Sequence, residues 1–109
     1  MEESGLLNKR RHKRIPFNNK VEIQGEGIFQ GIEISVGGMY IKTQEPYPVG
    51  GVLDLQFKLS KTDESPINVQ GCVLYSHKHA GFGLGFLNLK PEDYKKVEEF
   101  IEQAGNTHR

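Results

Sequence analysis

Two arginines four residues apart, Arg10 and Arg14, lie in the run Lys9-Arg10-Arg11-His12-Lys13-Arg14, which holds five cations and no acid. A guanidinium is planar and permanently charged. It grips phosphate oxygens, or guanine O6 and N7, through paired hydrogen bonds, and it stacks on a base face. About twenty residues further on, Glu33-x-Ser35-x-x-Gly38 contributes groups of the opposite kind. The Glu33 carboxylate can accept from guanine N1–H and N2–H2, and Ser35 supplies a small donor and acceptor. Gly37 and Gly38 let backbone N–H groups approach a ligand with no Cβ in the way. Alone, the arginines read equally well as a solvated tail, and the second segment as an ordinary hairpin turn. A ligand carrying both guanine and phosphate satisfies both halves.

Other chemistry finds less support. Cys72 is the single cysteine and sits among apolar neighbours, which reads as a core filler and not a nucleophile. His77 and His79 could project to one side of an extended chain, but no third metal ligand lies near them in sequence, so they read as solvated loop histidines. Ser35 lacks a nucleophile elbow, and no glycine-rich loop ends in Lys-Ser/Thr. The glycines from Gly81 lead into no dinucleotide-binding βαβ unit. The residues predict a binding protein, not an enzyme, with no metal and no cofactor.

Composition sharpens the contrast between arm and body. The chain has 14 basic and 14 acidic residues, but five of the basic ones belong to the run above. Without them, 9 basic residues face 14 acidic ones, so a cationic arm is attached to an acidic body. A chain of 109 residues makes one domain with a modest core. One cysteine excludes an internal disulfide and fits a reducing compartment. There is no apolar stretch behind the N-terminal charges and no long apolar run, so the reading is a cytoplasmic protein with no membrane span.

The elements that must position these groups are short strands. We read a flexible basic arm over 1–14 and a barrel with its helix over 15–105. The first strand is expected at Lys20–Gln24, after a turn signal at Asn18-Asn19. A turn at Gly25-Glu26-Gly27 leads to a second strand, Ile28–Ile34, with Ile28, Ile32 and Ile34 on one face. Met39–Thr43 makes the third, with Met39 and Ile41 opposite Tyr40. Val52–Leu59 alternates cleanly as a half-buried strand. Asn68–His77 follows, with Gly71 as a candidate bulge. In Gly81-Phe82-Gly83-Leu84-Gly85-Phe86 three aromatic or apolar residues alternate with three glycines, which implies another backbone or a ligand close to the bare face. Pro91–Ala104 is the one helix, with Pro at its start, Glu92-Asp93 in the first turn, Gly105 as a stop, and a stripe of Tyr94, Val97, Ile101 and Ala104. Six or so short antiparallel strands and one terminal helix predict a small barrel closed by, or abutting, that helix.

Arg10-x-x-x-Arg14 followed by Glu33-x-Ser35-x-x-Gly38 resembles the PilZ domain pattern, Arg-x-x-x-Arg and then Asp/Asn-x-Ser-x-x-Gly. Ile34 to Ile41, Pro48-Val49-Gly50, Gly81 to Phe86 and Leu89 to Asp93 extend the likeness in order along the chain. The resemblance implies a six-stranded β-barrel of the bacterial cytoplasm that binds the second messenger cyclic di-GMP. By that likeness Arg10 and Arg14 grip guanine and phosphate, while Ser35 and Gly38 line the base; Arg11 and Gly37 join the candidate site, with Glu33, on the chemistry set out above. Glu33 departs from the family's Asp or Asn, moving the carboxylate out by one methylene. Ligand would order the arm and create a surface for a downstream protein, and the extra cations lean toward a stacked pair of nucleotides. Two rivals remain: a relative that has lost the nucleotide and only binds protein, and a small barrel for single-stranded nucleic acid, which the acidic body disfavours.

Overall fold

The computed structural model describes residues 13–60 and 65–106. Arg10 and Arg11, with most of the expected arm, lie outside them. Within them are six strands, β1 (Ile15–Ile23), β2 (Gly27–Ile34), β3 (Gly38–Lys42), β4 (Val52–Phe57), β5 (Ile67–His77) and β6 (Gly81–Leu87), and one helix, α1 (Pro91–Asn106). The strands close into an antiparallel barrel in the order β1-β2-β3-β6-β5-β4. This is the six-stranded barrel with a C-terminal helix that the sequence predicts. Closure leaves no open sheet edge, which is how a small all-β chain avoids pairing with its neighbours.

Alternation along the strands fills the interior. Val21 and Ile23 of β1, Met39 and Ile41 of β3, Leu55 and Phe57 of β4, Val69 and Val73 of β5, and Phe82 and Leu84 of β6 are all buried. From α1, Val97 and Ile101 enter the same core, and Phe100 meets Phe17 edge-on at 6.1 Å between ring centroids. Phe17 in turn meets Phe57 at 5.8 Å. The helix therefore packs on β1 through a narrower stripe than expected, since Tyr94 remains 42% exposed. It also runs one residue past Gly105.

Three strands carry an inserted residue, and each insertion changes which way later side chains point. Asn18-Asn19 is a bulge inside β1 and not a turn: the pairing with β2 slips between Pro16 and Asn19. Asn18 takes φ 52°, a left-handed conformation that asparagine tolerates, so the local preference was real but is used within a strand. The Asn19 side-chain amide then donates to the Leu59 carbonyl at 3.0 Å. In β2 the extra residue is Ile32, which breaks the expected one-faced run of isoleucines and leaves Ile28 67% exposed. In β5 the slip falls between Val73 and Tyr75, at Leu74 and not at Gly71. Gly71 is bare for a different reason: a Cβ there would stand 2.8 Å from Leu84 Cδ1. Cys72 is half-buried on the outward side of β5, opposite Val52, and so is not the core filler expected.

Candidate functional site

Each bulge matters because a strand's faces alternate with period two. Gly31 is buried and points inward; in a regular strand, with no bulge at Ile32, Glu33 two residues on would point inward as well. The insertion turns Glu33 outward, beside Tyr40 on β3. Leu74 does the same for Tyr75. Val73 is buried, and the inserted residue places Tyr75 outside, paired with Gly83. Glu33, Tyr40, Gly83 and Tyr75 thus form one row across the outer face of β2, β3, β6 and β5.

The turn between β2 and β3 is held from within. Ser35 N–H donates to the Gly38 carbonyl at 2.9 Å, closing a two-residue loop. Ser35 Oγ accepts the N–H groups of Gly37 at 3.1 Å and Gly38 at 3.2 Å. Phe86 N–H ties the loop to β6 through the Gly37 carbonyl at 2.9 Å. Both N–H groups expected to face a ligand are therefore directed at the serine. The Ser35 hydroxyl in turn donates to the Gly38 carbonyl at 3.5 Å, and the residue is 8% exposed. Gly38 is required by packing: a Cβ would stand 2.0 Å from the Leu84 carbonyl oxygen.

Arg14, just before β1, reaches the same place. Its guanidinium lies 4.0 Å from the Glu33 carboxylate, with the two side chains 63% and 46% exposed. Arg14, Glu33, Ser35, Gly37 and Gly38 line one open cleft of about 740 Å3, within the range of small-molecule sites. The convergence of arm and turn expected from the sequence holds for Arg14. Arg10 and Arg11 are not described.

The cleft also contains Lys13, Tyr40, Leu74 and Tyr75, which the sequence reading did not assign to a site. A signal for the two tyrosines was present in the glycine alternation of β6. Neighbouring strands cover the bare face with backbone and rings together: the Ile41 carbonyl and the Tyr40 ring approach Gly81, Tyr75 overlies Gly83, and Leu74 lies over Gly85. Burial pushes the Tyr40 phenol above its ordinary pKa, and Tyr75 and Glu33 add to the shift. Tyr40 Oη lies 3.0 Å from His77 Nδ1, so His77 belongs to this cluster and not to a solvated loop. Among the described residues no group of three His, Cys, Asp or Glu is placed to hold a metal, and no helix is long and apolar enough to cross a membrane.

The chain belongs to the PilZ domain family, whose model matches residues 8–103. Its fold is similar to that of the inhibitor of motility MotI (DgrA) of Bacillus subtilis, with a TM-score of 0.81 at 17% identity over 93% of this chain and 53% of that one. It is similar to Escherichia coli YcgR in complex with c-di-GMP, with a TM-score of 0.74 at 15% identity over 93% of this chain and 48% of that one. The isolated PilZ domain of YcgR with c-di-GMP matches at a TM-score of 0.67 and 13% identity, over 93% and 95% of the two chains. The chain thus spans about half the length of MotI and of YcgR. No curated protein matches it in sequence.

Proposed function

We propose that this PilZ domain is a receptor for cyclic di-GMP and has no catalytic output of its own. The observation that carries the reading is the meeting of Arg14 with Glu33, Ser35 and Gly38 in one cleft. A cation and a carboxylate side by side suit a ligand with phosphate and guanine edges, and the family supplies the messenger. Arg10 and Arg11 join Arg14 when ligand is bound, so that the basic arm, residues 1–14, is ordered against the barrel of 15–105. Fixing the arm consumes part of the binding energy and leaves a new surface for a protein partner. The arm's extra cations favour a stacked pair of nucleotides over one.

Calorimetric titration with cyclic di-GMP tests this. Binding by the wild-type protein, weakened by roughly ten- to 150-fold in Arg10→Ala and Arg14→Ala, is the expected result, since a hydrogen bond to a charged group contributes about 1.5–3 kcal/mol. Stoichiometry decides between one nucleotide and two. Glu33→Asp, which restores the family's shorter acid, is expected to bind equally or more tightly. No binding by the wild-type protein, with a specific protein recovered instead, would select the interaction-only reading. Steeply salt-dependent binding of RNA without preference for the dinucleotide would select the nucleic-acid reading.

A further inference from the structure

An apolar patch borders the cleft on the side away from Arg14. Val52 of β4 pairs with Cys72 of β5, Cys72 pairs with Gly85 of β6, and Gly85 pairs with Gly38 of β3. One cross-strand row therefore runs from the cleft floor at Gly38 out to Val52. Leu74, two residues past Cys72, lines the cleft and lies over Gly85. The Gly50 N–H donates to the Val73 carbonyl at 2.8 Å, and the Val73 N–H donates to the Gly51 carbonyl at 2.9 Å. Those two bonds fix the segment carrying Val49 alongside the same strand. Val49, Val52 and Leu74 are each more than half exposed, and Cys72 is half-buried.

Single apolar side chains on a surface need no cover, but a contiguous group beside a binding cleft marks a docking surface. The chain supplies an occupant of matching chemistry. Lys13 lines the same cleft, and Leu6-Leu7 precedes the cationic run with only Asn8 between. Reach decides whether that pair arrives. Leu7 lies six residues before Lys13, a span of up to about 20–22 Å when extended. The row from Gly38 to Val52 crosses three strand spacings, about 14 Å. The surplus lets the chain arch over a ligand, with Arg10 and Arg11 above the cleft and the leucines beyond it.

We infer that Leu6 and Leu7 seat on the patch of Val49, Val52, Cys72 and Leu74 when nucleotide is bound. The arm is then a strap fastened at both ends, by β1 on one side of the cleft and by an apolar contact on the other. The inference rests on the receptor reading above and deepens it, by naming the surface on which the arm docks. The leucines add apolar burial to the affinity without touching the nucleotide.

The test uses the full chain and cyclic di-GMP, with Cys72 as the reporter, since it is the single cysteine and does not line the cleft. In the wild type, saturating nucleotide is expected to slow the reaction of Cys72 with a thiol-specific reagent. In Leu6→Ser/Leu7→Ser, nucleotide is expected to leave that rate unchanged. The same variant should bind cyclic di-GMP about ten-fold more weakly, because two half-covered leucines match about one fully buried one. Both leucines precede the barrel in the chain, so their replacement leaves its core intact. Val52→Ser should weaken binding as well, and combining it with the leucine changes should cost nothing further, since the contact is already gone. Unchanged affinity in the leucine variant, or Cys72 protection that survives in it, would overturn the strap and leave the receptor reading standing. Protection accompanied by a doubled mass in light scattering would assign the patch to a second copy and overturn the strap too. No binding by the wild type would remove the receptor reading, and the strap with it.

Discussion

The two halves of the cleft are built on different principles. The Ser35–Gly38 turn is buried at both ends, tied to itself by four hydrogen bonds of 2.9 to 3.5 Å, and fitted against β6 so closely that Gly38 has no room for a Cβ. Arg14, facing it, is mostly solvent-exposed, and its ion pair with Glu33 is at 4.0 Å. One half is a fixed floor, the other an adjustable clamp. A ligand meets a turn whose polar groups are already arranged, and gains most from the charge that closes on it. Substitutions in the two halves should therefore separate stability from affinity.

The strongest break falls on the floor. Gly38→Ala sets a methyl group against the Leu84 carbonyl, and only a shift of β3 or β6 relieves it. Overpacking costs about 1–3 kcal/mol, and a backbone partner puts this case at the upper end. A fall in Tm of roughly 12–24 °C is expected by calorimetry. An unchanged Tm would mean that the turn is not fitted to β6 as described.

Ser35→Ala comes next. It strands the Gly37 and Gly38 N–H groups in a buried turn, at about 2 kcal/mol, or roughly 8–16 °C in Tm. Any loss of ligand affinity in this variant therefore contains a structural share. Binding has to be compared well below the lowered Tm before the serine is assigned a direct contact.

How much of this was legible in the sequence depends on the length over which a signal acts. Alternation in β3, β4 and β6 gave the barrel, because each of those strands is read correctly one residue at a time. The bulges were not legible. Asn18-Asn19 signals a left-handed backbone, but a turn and a bulge use the same signal, and only pairing with β2 separates them. Gly71 looked like the irregular residue of β5, whereas the slip is at Leu74, a residue with no local preference for it. Missing that slip reverses the face of Tyr75, and the aromatic side of the cleft is lost with it. The Arg14 and Ser35–Gly38 halves were legible because their residue types announce chemistry wherever they are placed.

A smaller effect appears only at high pH, at the loop between β3 and β4. Tyr47 Oη donates to Glu26 at 3.1 Å, and burial followed by that hydrogen bond pushes the phenol from 10.0 up to about 12. Above pH 10 the unfolded chain releases this proton while the folded one keeps it. Stability contributed by the protonated phenol is thus whole below pH 10 and is lost as pH rises toward 12. Tyr47→Phe should flatten the decline of Tm between pH 10 and 12. An identical slope in wild type and variant would remove Tyr47 as its source. The bond joins this loop to the turn between β1 and β2, and neither Tyr47 nor Glu26 lines the cleft, so its substitution should leave cyclic di-GMP affinity at neutral pH unchanged.

The clamp should give the smallest change in stability and a large one in affinity. Exposed ion pairs contribute about 0–1 kcal/mol, and this one is at the outer limit of contact. Arg14→Ala should therefore move Tm by less than about 4 °C while weakening cyclic di-GMP binding by the ten- to 150-fold expected of a charged contact. A cycle with Glu33→Ala sharpens the point. If the carboxylate only parks the guanidinium in the free protein, removing Glu33 frees Arg14 for phosphate, and the free-state coupling stays within about 1 kcal/mol. If Glu33 also accepts from guanine, its loss weakens binding even where Arg14 is intact. A large fall in Tm for Arg14→Ala would contradict the division altogether, because the arginine would then belong to the floor.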